Sequence, residues 1–323
     1  MTTMPSETPA RDPESPVDRD VVVVGGGASG LAAAVFTARY GLDTLVLDGG
    51  KAAITQCAHV ENYLGFPGGI APDRLLDLGR AQVAHEGGSV RDERVTAVAR
   101  PEGGEDEGRG RFRVETVDGE VLADRVVVAA AYDGDVLAPL AAELDGVTGA
   151  ETEAEAETDD GDGADEDPFV PVDGGRTDLD GFYVAGWMAD GTVHQVGVNA
   201  GHGARVGLAL CRDDMSERYW PAVGERYVDW VVHEGRYGGD GWSEHVDEWF
   251  DREMLGDEGG DEHALDPDLV ARAREDLKAE FLGRAITAEE RERRDREGQR
   301  LLLDALDDEV IREYAAALSD EDS

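Results

Sequence analysis

The chain is 323 residues long and carries 73 acidic against 30 basic residues, a formal net charge of −43. A charge of that sign and size repels a nucleic-acid backbone. An apolar content of 41% is too high for a wholly disordered acidic chain, and the length suffices for about two domains with real cores. The longest purely apolar stretch, Val126 to Tyr132, falls far short of the roughly 20 residues a membrane helix needs. The first residues also lack the basic start and apolar middle of a signal peptide, so a soluble, cytoplasmic protein is expected, bound to neither nucleic acid nor membrane.

Lys51 and Lys278 are the only lysines, which leaves 28 arginines. High acidity with almost no lysine points to a halophile, whose concentrated salt screens self-repulsion over a few ångströms. Two cysteines, Cys57 and Cys211, exclude a disulfide framework and form no Cys-x-x-Cys pair. The histidines show no ligand spacing, and no metal site is expected.

In chain order, residues 1–18 are rich in Pro, Ser, Thr and acids and read as a disordered tail. Val21 to Val24 is a buried strand ending in Gly25-Gly26-Gly27-Ala28-Ser29-Gly30. A helix follows over Leu31 to Tyr40, stopped by Gly41, and Thr44 to Leu47 is a second buried strand closed by Asp48. Pro72 to Glu86 reads as a helix, and Arg111 to Val117 with Glu120 to Ala129 as a hairpin around Asp118-Gly119. Gly103 to Gly110 is an acidic loop between strands, and Glu143 to Asp167 an acidic low-complexity linker. Apolar order returns at Phe182 to Ala185, followed by Gly186 and a glycine-spaced helix from about Gly197 to Leu210. The rest is helical. It holds Trp220, Trp230, Trp242 and Trp249, for which core packing is favoured over a lid or a dimer surface, and helix starts at Asp266-Pro267 and at the capping box Thr287/Glu290. The charged run Glu289 to Arg300 reads as an exposed helix.

Gly25, Gly27 and Gly30 have the spacing of a dinucleotide fingerprint: a tight turn, close backbone approach to a pyrophosphate, and helix-to-strand packing. The helix N-terminus adds free N–H groups and a positive dipole end, and Asp48 lies where a carboxylate accepts hydrogen bonds from an adenosine ribose.

With these, the pair Gly49-Gly50, the run Val60-Glu61-Asn62-Tyr63-Leu64-Gly65-Phe66-Pro67 and the segment Gly181-Phe182-Tyr183-Val184-Ala185-Gly186 resemble the FAD domain of thioredoxin reductase-like flavoproteins, which are pyridine nucleotide-disulfide oxidoreductases. The resemblance covers about residues 19–135 and 178–212. It implies an α/β fold: a Rossmann-like FAD-binding domain with a parallel sheet, helices and a β-hairpin region, followed by a C-terminal helical extension. It implies that Gly25, Gly27, Ala28, Ser29 and Gly30 hold the FAD pyrophosphate, that Asp48 faces the ribose with Gly49 and Gly50 beside it, and that the Val95 backbone borders the adenine. Asn62 is placed beside the ring system, and Ala129 stands in the family's Ala-Thr-Gly position. Gly186 with His194, Gln195 and Val196 is placed at the ribityl chain and the flavin's pyrimidine edge. Cys57 falls in the segment that runs beside the isoalloxazine; a redox role and a buried, inert thiol both stand open for it. His194 is either a hydrogen-bond donor or acid at the flavin edge, or a packed structural histidine.

The departures shape the functional expectation. In the family a second dinucleotide-binding domain, carrying the NADPH motif and the redox Cys pair, is inserted where this chain has only about fifty residues, Ala131 to Asp180. The family's Gly-Asp is Gly186-Trp187 here, so a flavin-contacting carboxylate is missing unless Asp190 substitutes. The expected organisation is therefore a tail (1–18), a first FAD-domain segment (19–135), an acidic linker in place of the nicotinamide domain (136–180), a second FAD-domain segment (181–213) and a helical extension (214–323). The expected activity is that of an FAD-dependent oxidoreductase of unknown substrate, supplied with electrons by a ferredoxin, a partner reductase or the substrate itself, with a homodimer compatible. Two alternatives stand beside it: a non-catalytic flavin- or nucleotide-binding redox sensor or scaffold, and an enzyme with NAD at the glycine turn. One outcome follows from the charge alone. Between molar and millimolar salt the screening length grows from about 3 Å to beyond 30 Å, so the melting temperature should fall in dilute buffer, as thermal unfolding across a salt series will show.

Overall fold

The structure is a computed structural model that describes residues 18–101, 112–130, 134–144, 172–189, 193–238, 241–255 and 265–321. The tail, the 103–110 loop, most of the acidic linker and Asp190 lie outside the described residues. The chain divides into two compact units, Met1–Cys211 and Arg212–Ser323.

In the first unit, β1 (Arg19–Val24) leads through the glycine turn into α1 (Ala28–Tyr40) and β2 (Thr44–Leu47), then α2 (Pro72–His85), β3 (Ser89–Arg91), β4 (Val95–Ala99), β5 (Phe112–Thr116) and β6 (Glu120–Val128). After the acidic segment come β7 (Phe182–Val184) and α3 (Val196–Arg218). α1 starts three residues earlier than its apolar pattern suggests, because Gly27 takes the N-cap position and Ala28 to Gly30 already form the first helical turn. Gly41, at φ 105°, closes it with its N–H on Ala38 O. α3 runs eight residues past Leu210, while β2 matches the reading from sequence.

The sheet order is β3-β2-β1-β6, continued on the far side of β6 by two different partners. β5 pairs antiparallel with Glu120–Ala123 and carries β4, whereas β7 pairs parallel with Val126–Val128. The parallel core is thus β3-β2-β1-β6-β7, with a three-stranded antiparallel meander (β4, β5, first half of β6) attached. The chain winds outward from β1 through β2 to β3 and then returns to β1's other side at β6. That reversal, between β1 and β6, opens a crevice at the carboxyl ends of the strands.

Strand alternation sorts the core into two faces. Val21, Val23, Val46, Val127 and Tyr183 point to the side covered by Leu31, Ala34, Leu76, Val83, Val206 and Leu210 of the helices. Val22, Val24, Leu45, Leu47, Val126, Val128 and Phe182 point to the other side, against Val98, Phe112 and Val114 of the meander and Leu137 and Leu140 of a 3-10 segment, Gly134–Leu140. Both faces being covered explains why β1 and the end of β6 read as unbroken valine runs instead of alternating. α3 packs on α1 at backbone distance: a Cβ on Gly203 would fall 2.0 Å from Ser29 O and one on Gly207 2.6 Å from Ala33 O.

The second unit holds α4 (Pro221–Arg226), β8 (Val232–His233), α5 (Glu234–Tyr237), α6 (Trp242–Phe250) with a π turn (Asp251–Leu255), α7 (Pro267–Gly283), β9 (Ala285–Ile286), α8 (Ala288–Asp304) and α9 (Asp308–Glu321). Trp220 is buried, stands edge-on to Phe250 at 6.2 Å and donates its indole N–H to Met254 O at 3.0 Å. Trp242 and Trp249 flank Phe281 at 6.3 and 6.0 Å. Trp230 departs from the core expectation: it is 52% exposed and leans on Tyr237. Both expected caps form, with Asp266 accepting from Asp268 N and Thr287 from Glu290 N. α8 buries no residue and carries local ion pairs; Arg293, then Arg294, holds the Glu290 carboxyl down to about 2.

The end of β7 is tied to α3 by a titratable group. His202 Nδ1 accepts the Gly186 N–H at 3.0 Å, and burial, followed by the charge of Arg205, pulls its pKa below 6.5. The folded chain thus binds this proton less readily than the unfolded chain, so the stabilisation is complete above about pH 6.5 and declines as pH falls below it. Thermal melts from pH 7.5 to 5 should show this slope in the wild type. His202→Asn, which keeps an acceptor but cannot titrate, should flatten it.

Candidate functional site

The crevice predicted by the strand reversal is a cleft of about 410 Å³. Its floor is the turn after β1. Gly25, at φ 109°, lies so close to β6 that a Cβ there would meet Ala129 O at 2.7 Å, and a Cβ on Gly30 would stand 1.9 Å from Gly25 O. These two glycines are required by the fold itself. Gly27 differs: a Cβ there would meet only Ala52 Cβ, at 3.8 Å. The chain leaves that space open above the first turn of α1, where helix geometry directs unpaired N–H groups outward.

Asp48 closes β2 on the cleft wall and is 5% exposed. Its Oδ1 accepts the Gly50 N–H at 2.9 Å and its Oδ2 is ion-paired with Arg80, which also holds Asp92 at 2.7 Å. Arg80 sits 32 residues away on α2, and nothing in its local sequence marks it as this carboxylate's partner. Asp48 is the one acid among the described lining residues, in a chain with 73 acids, whereas Lys51 and Arg94 line the same cleft. With Asp48 already neutralised by Arg80, the surface suits an anion.

Of the residues singled out from sequence, Gly25, Gly27, Ala28, Ser29, Asp48 and Gly49 line this cleft together with Val95 and Ala129. Cys57, His194, Gln195 and Val196 line it as well. Gly30, Gly50, Asn62 and Gly186 stand behind the wall. Gly30 holds the turn and Gly50 holds Asp48, while Asn62 Nδ2 donates to Gln195 Oε1 at 2.8 Å and so bridges the 60s segment to the start of α3. Cys57 is exposed, which removes the buried-thiol alternative, and the buried cysteine is Cys211, whose Sγ lies 3.7 Å from Phe36 O. His194 stacks on Trp187 with ring centroids 3.8 Å apart, and the two rings form an aromatic wall of the cleft.

Among the lining residues that escaped the sequence reading are Arg94, Val136 and Asn199. Arg94 and Val136 reach the cleft from the meander strand's start and the 3-10 segment, elements whose placement depends on long-range pairing. Asn199 looked like one more polar residue on a helix. No group of His, Cys, Asp or Glu suited to a metal occurs among the described residues, and no described helix is long and apolar enough to cross a membrane.

Residues 19–157 match the family of pyridine nucleotide-disulphide oxidoreductases. Similar curated proteins include the bifunctional thioredoxin reductase/thioredoxin of Mycobacterium leprae, 34% identical over 114 residues, and the thioredoxin reductase of Aquifex aeolicus, 32% identical over 113. Each match takes in 34% of this chain but only 23% and 33% of the respective relative. Among solved structures, a thioredoxin reductase from Gloeobacter violaceus aligns with 66% of this chain and 98% of its own at a TM-score of 0.49 and 19% identity. The glycine turn, the switch-point cleft and the family and sequence matches coincide on the same residues: the sheet region is similar to the pyridine nucleotide-disulphide oxidoreductases and, among them, to thioredoxin reductases.

Proposed function

We propose that the chain holds FAD in this cleft and works as a flavin-dependent oxidoreductase that receives its electrons from a partner protein or from the substrate itself. The observation that carries the reading is the cradle at Gly27: space that the fold leaves open beside the α1 N-terminus, in the one region of a very acidic chain lined by Lys51 and Arg94. A pyrophosphate needs close backbone approach, N–H donors and positive potential, and all three meet there. In this reading the turn from Gly25 to Gly30 holds the pyrophosphate, Asp48 orients the ribose, Val95 borders the adenine, and Gly186 with His194, Gln195 and Val196 faces the flavin end. When bound, FAD supplies the electron-accepting ring, and the protein supplies position, exclusion of water and the helix dipole of α3.

The electron source is inferred from what lies between β6 and β7. Only about fifty residues separate Val128 from Phe182, where the family carries its nicotinamide domain. Cys57 and Cys211, one exposed and one buried, do not form a dithiol. Hydride transfer from NADPH needs the nicotinamide held roughly 3 to 3.5 Å from the flavin, and no second glycine fingerprint in this chain provides for that.

Protein purified in molar salt should be yellow or take up FAD to a stoichiometric, saturable end point. Gly27→Val should keep the wild-type circular dichroism yet lose about 100-fold or more in FAD affinity, because its Cβ enters space that the protein leaves open, Ala52 Cβ being the one near atom at 3.8 Å. In anaerobic stopped flow the wild-type flavoprotein should show no rapid, saturable bleaching by NADPH. Colourless, folded protein that cannot be reconstituted sinks the cofactor assignment, and fast bleaching sinks the electron-source assignment alone.

A further inference from the structure

Two segments meet beside the end of the cleft assigned to the flavin ring. Asn62 Nδ2 donates to Gln195 Oε1 at 2.8 Å, and a Cβ on Gly197 would stand 4.0 Å from Tyr63 Cδ2, so the 60s turn lies against the start of α3. Residues 49–72 and 193–211, which contain these contacts, hold one acid between them, Glu61, in a chain of 323 residues with 73 acids.

Burial does not account for this omission. Leu64 is 97% exposed, Val193 51% and Val198 48%, and Ala58 and His59 are exposed as well. Nor does a ligand account for it, since none of these residues lines the cleft. On α3, Val198, Gly201 and Arg205 follow one another at helical spacing and are all exposed. Arg205, like the exposed Lys51 on the cleft rim, holds no acid among the described residues. An exposed apolar area with polar edges and few charges has the composition found at the centre of a protein–protein contact.

Charge decides between the occupants. In a two-fold contact with a second copy, the Lys51 and Arg205 cations would meet the same surface again, with Glu61 as its single carboxylate. A partner with acidic groups on its contact face supplies what these cations lack, and on this face it meets few opposing carboxylates. In molar salt, repulsion from the rest of the chain is screened beyond about 3 Å, so the groups in contact decide. The place of the rim says what such a partner delivers. It adjoins His194, Gln195 and Val196 of the cleft lining, so electrons cross there without the partner entering the cleft. Contacts made for electron transfer are small and transient, which suits an area built from a few side chains.

Building on the FAD and protein electron source proposed above, we propose that the acid-poor rim of Leu64, Val193, Val198 and Arg205 is the docking surface for an acidic one-electron carrier protein. Two reduced carriers dock in turn, each is oxidised by one electron, and the two electrons pass, with protons from water, to the flavin.

The test follows flavin bleaching in anaerobic stopped flow, with the full, FAD-loaded chain in molar salt. The reductants are a reduced acidic iron–sulfur ferredoxin and, separately, the methyl viologen radical, which is small enough to need no docking surface. Ferredoxin should bleach the wild type with a saturable rate. Leu64→Glu and Arg205→Glu should each need at least tenfold more ferredoxin for the same rate, yet keep the wild-type rate with methyl viologen. Leu318→Glu, which adds the same charge as Leu64→Glu at an exposed position of α9, should behave as the wild type with both reductants. The proposal is overturned if ferredoxin fails to reduce a wild type that methyl viologen reduces, if either rim variant keeps its response to ferredoxin, or if Leu318→Glu loses it. It is overturned equally if light scattering finds a wild-type dimer that Leu64→Glu splits, because a second copy then covers the rim. A wild type that takes up no FAD, or that NADPH bleaches rapidly, removes the underlying reading, whereas the other outcomes remove only the docking surface.

Discussion

Everything in the first unit depends on how closely backbone passes backbone at the carboxyl end of β1. Gly25 N–H reaches Leu47 O, Ala129 N–H reaches Val24 O, and the carbonyl of Gly25 occupies the space where Gly30 would otherwise carry a side chain. On the other flank Gly203 and Gly207 let α3 settle onto Ser29 and Ala33 of α1. Three strands and two helices thus converge where no side chains separate them, and the cleft is the gap that remains at the point of convergence.

That constraint explains which regions of the molecule could be read from sequence. β1, β2 and the turn were legible because their burial on both faces demands β-branched runs, and because the close approaches admit only glycine. The caps at Asp266 and Thr287 were legible because each is settled within four residues. Arg80, Arg94 and Asn199 were not, since each acts through a partner or a surface brought close only by the finished sheet. The β6 strand shows the same limit. Its sequence announces one strand of a hairpin, but its second half exchanges β5 for β7, a segment that arrives more than fifty residues later.

Charge is distributed in the opposite sense to its abundance. The acids outnumber the bases more than two to one in the chain, yet the described cleft retains a single carboxylate, itself held by Arg80. Elsewhere, arginine serves mainly in exposed pairs such as those of α8, each worth little by itself in water. Self-repulsion is thereby spread over the surface and kept away from the cleft.

The scarcity of lysine has a chemical corollary. Of the two side-chain amines in the chain, Lys278 is committed to Asp247, whereas Lys51 stands exposed on the rim of the cleft. Lys278 keeps 27% of its side chain exposed beside Asp247, so a small acylating reagent meets the freer of the two ε-amines at the cleft. Protection of that amine from acylation becomes a footprint of occupancy, readable by mass spectrometry on a protein that otherwise offers such chemistry almost nothing.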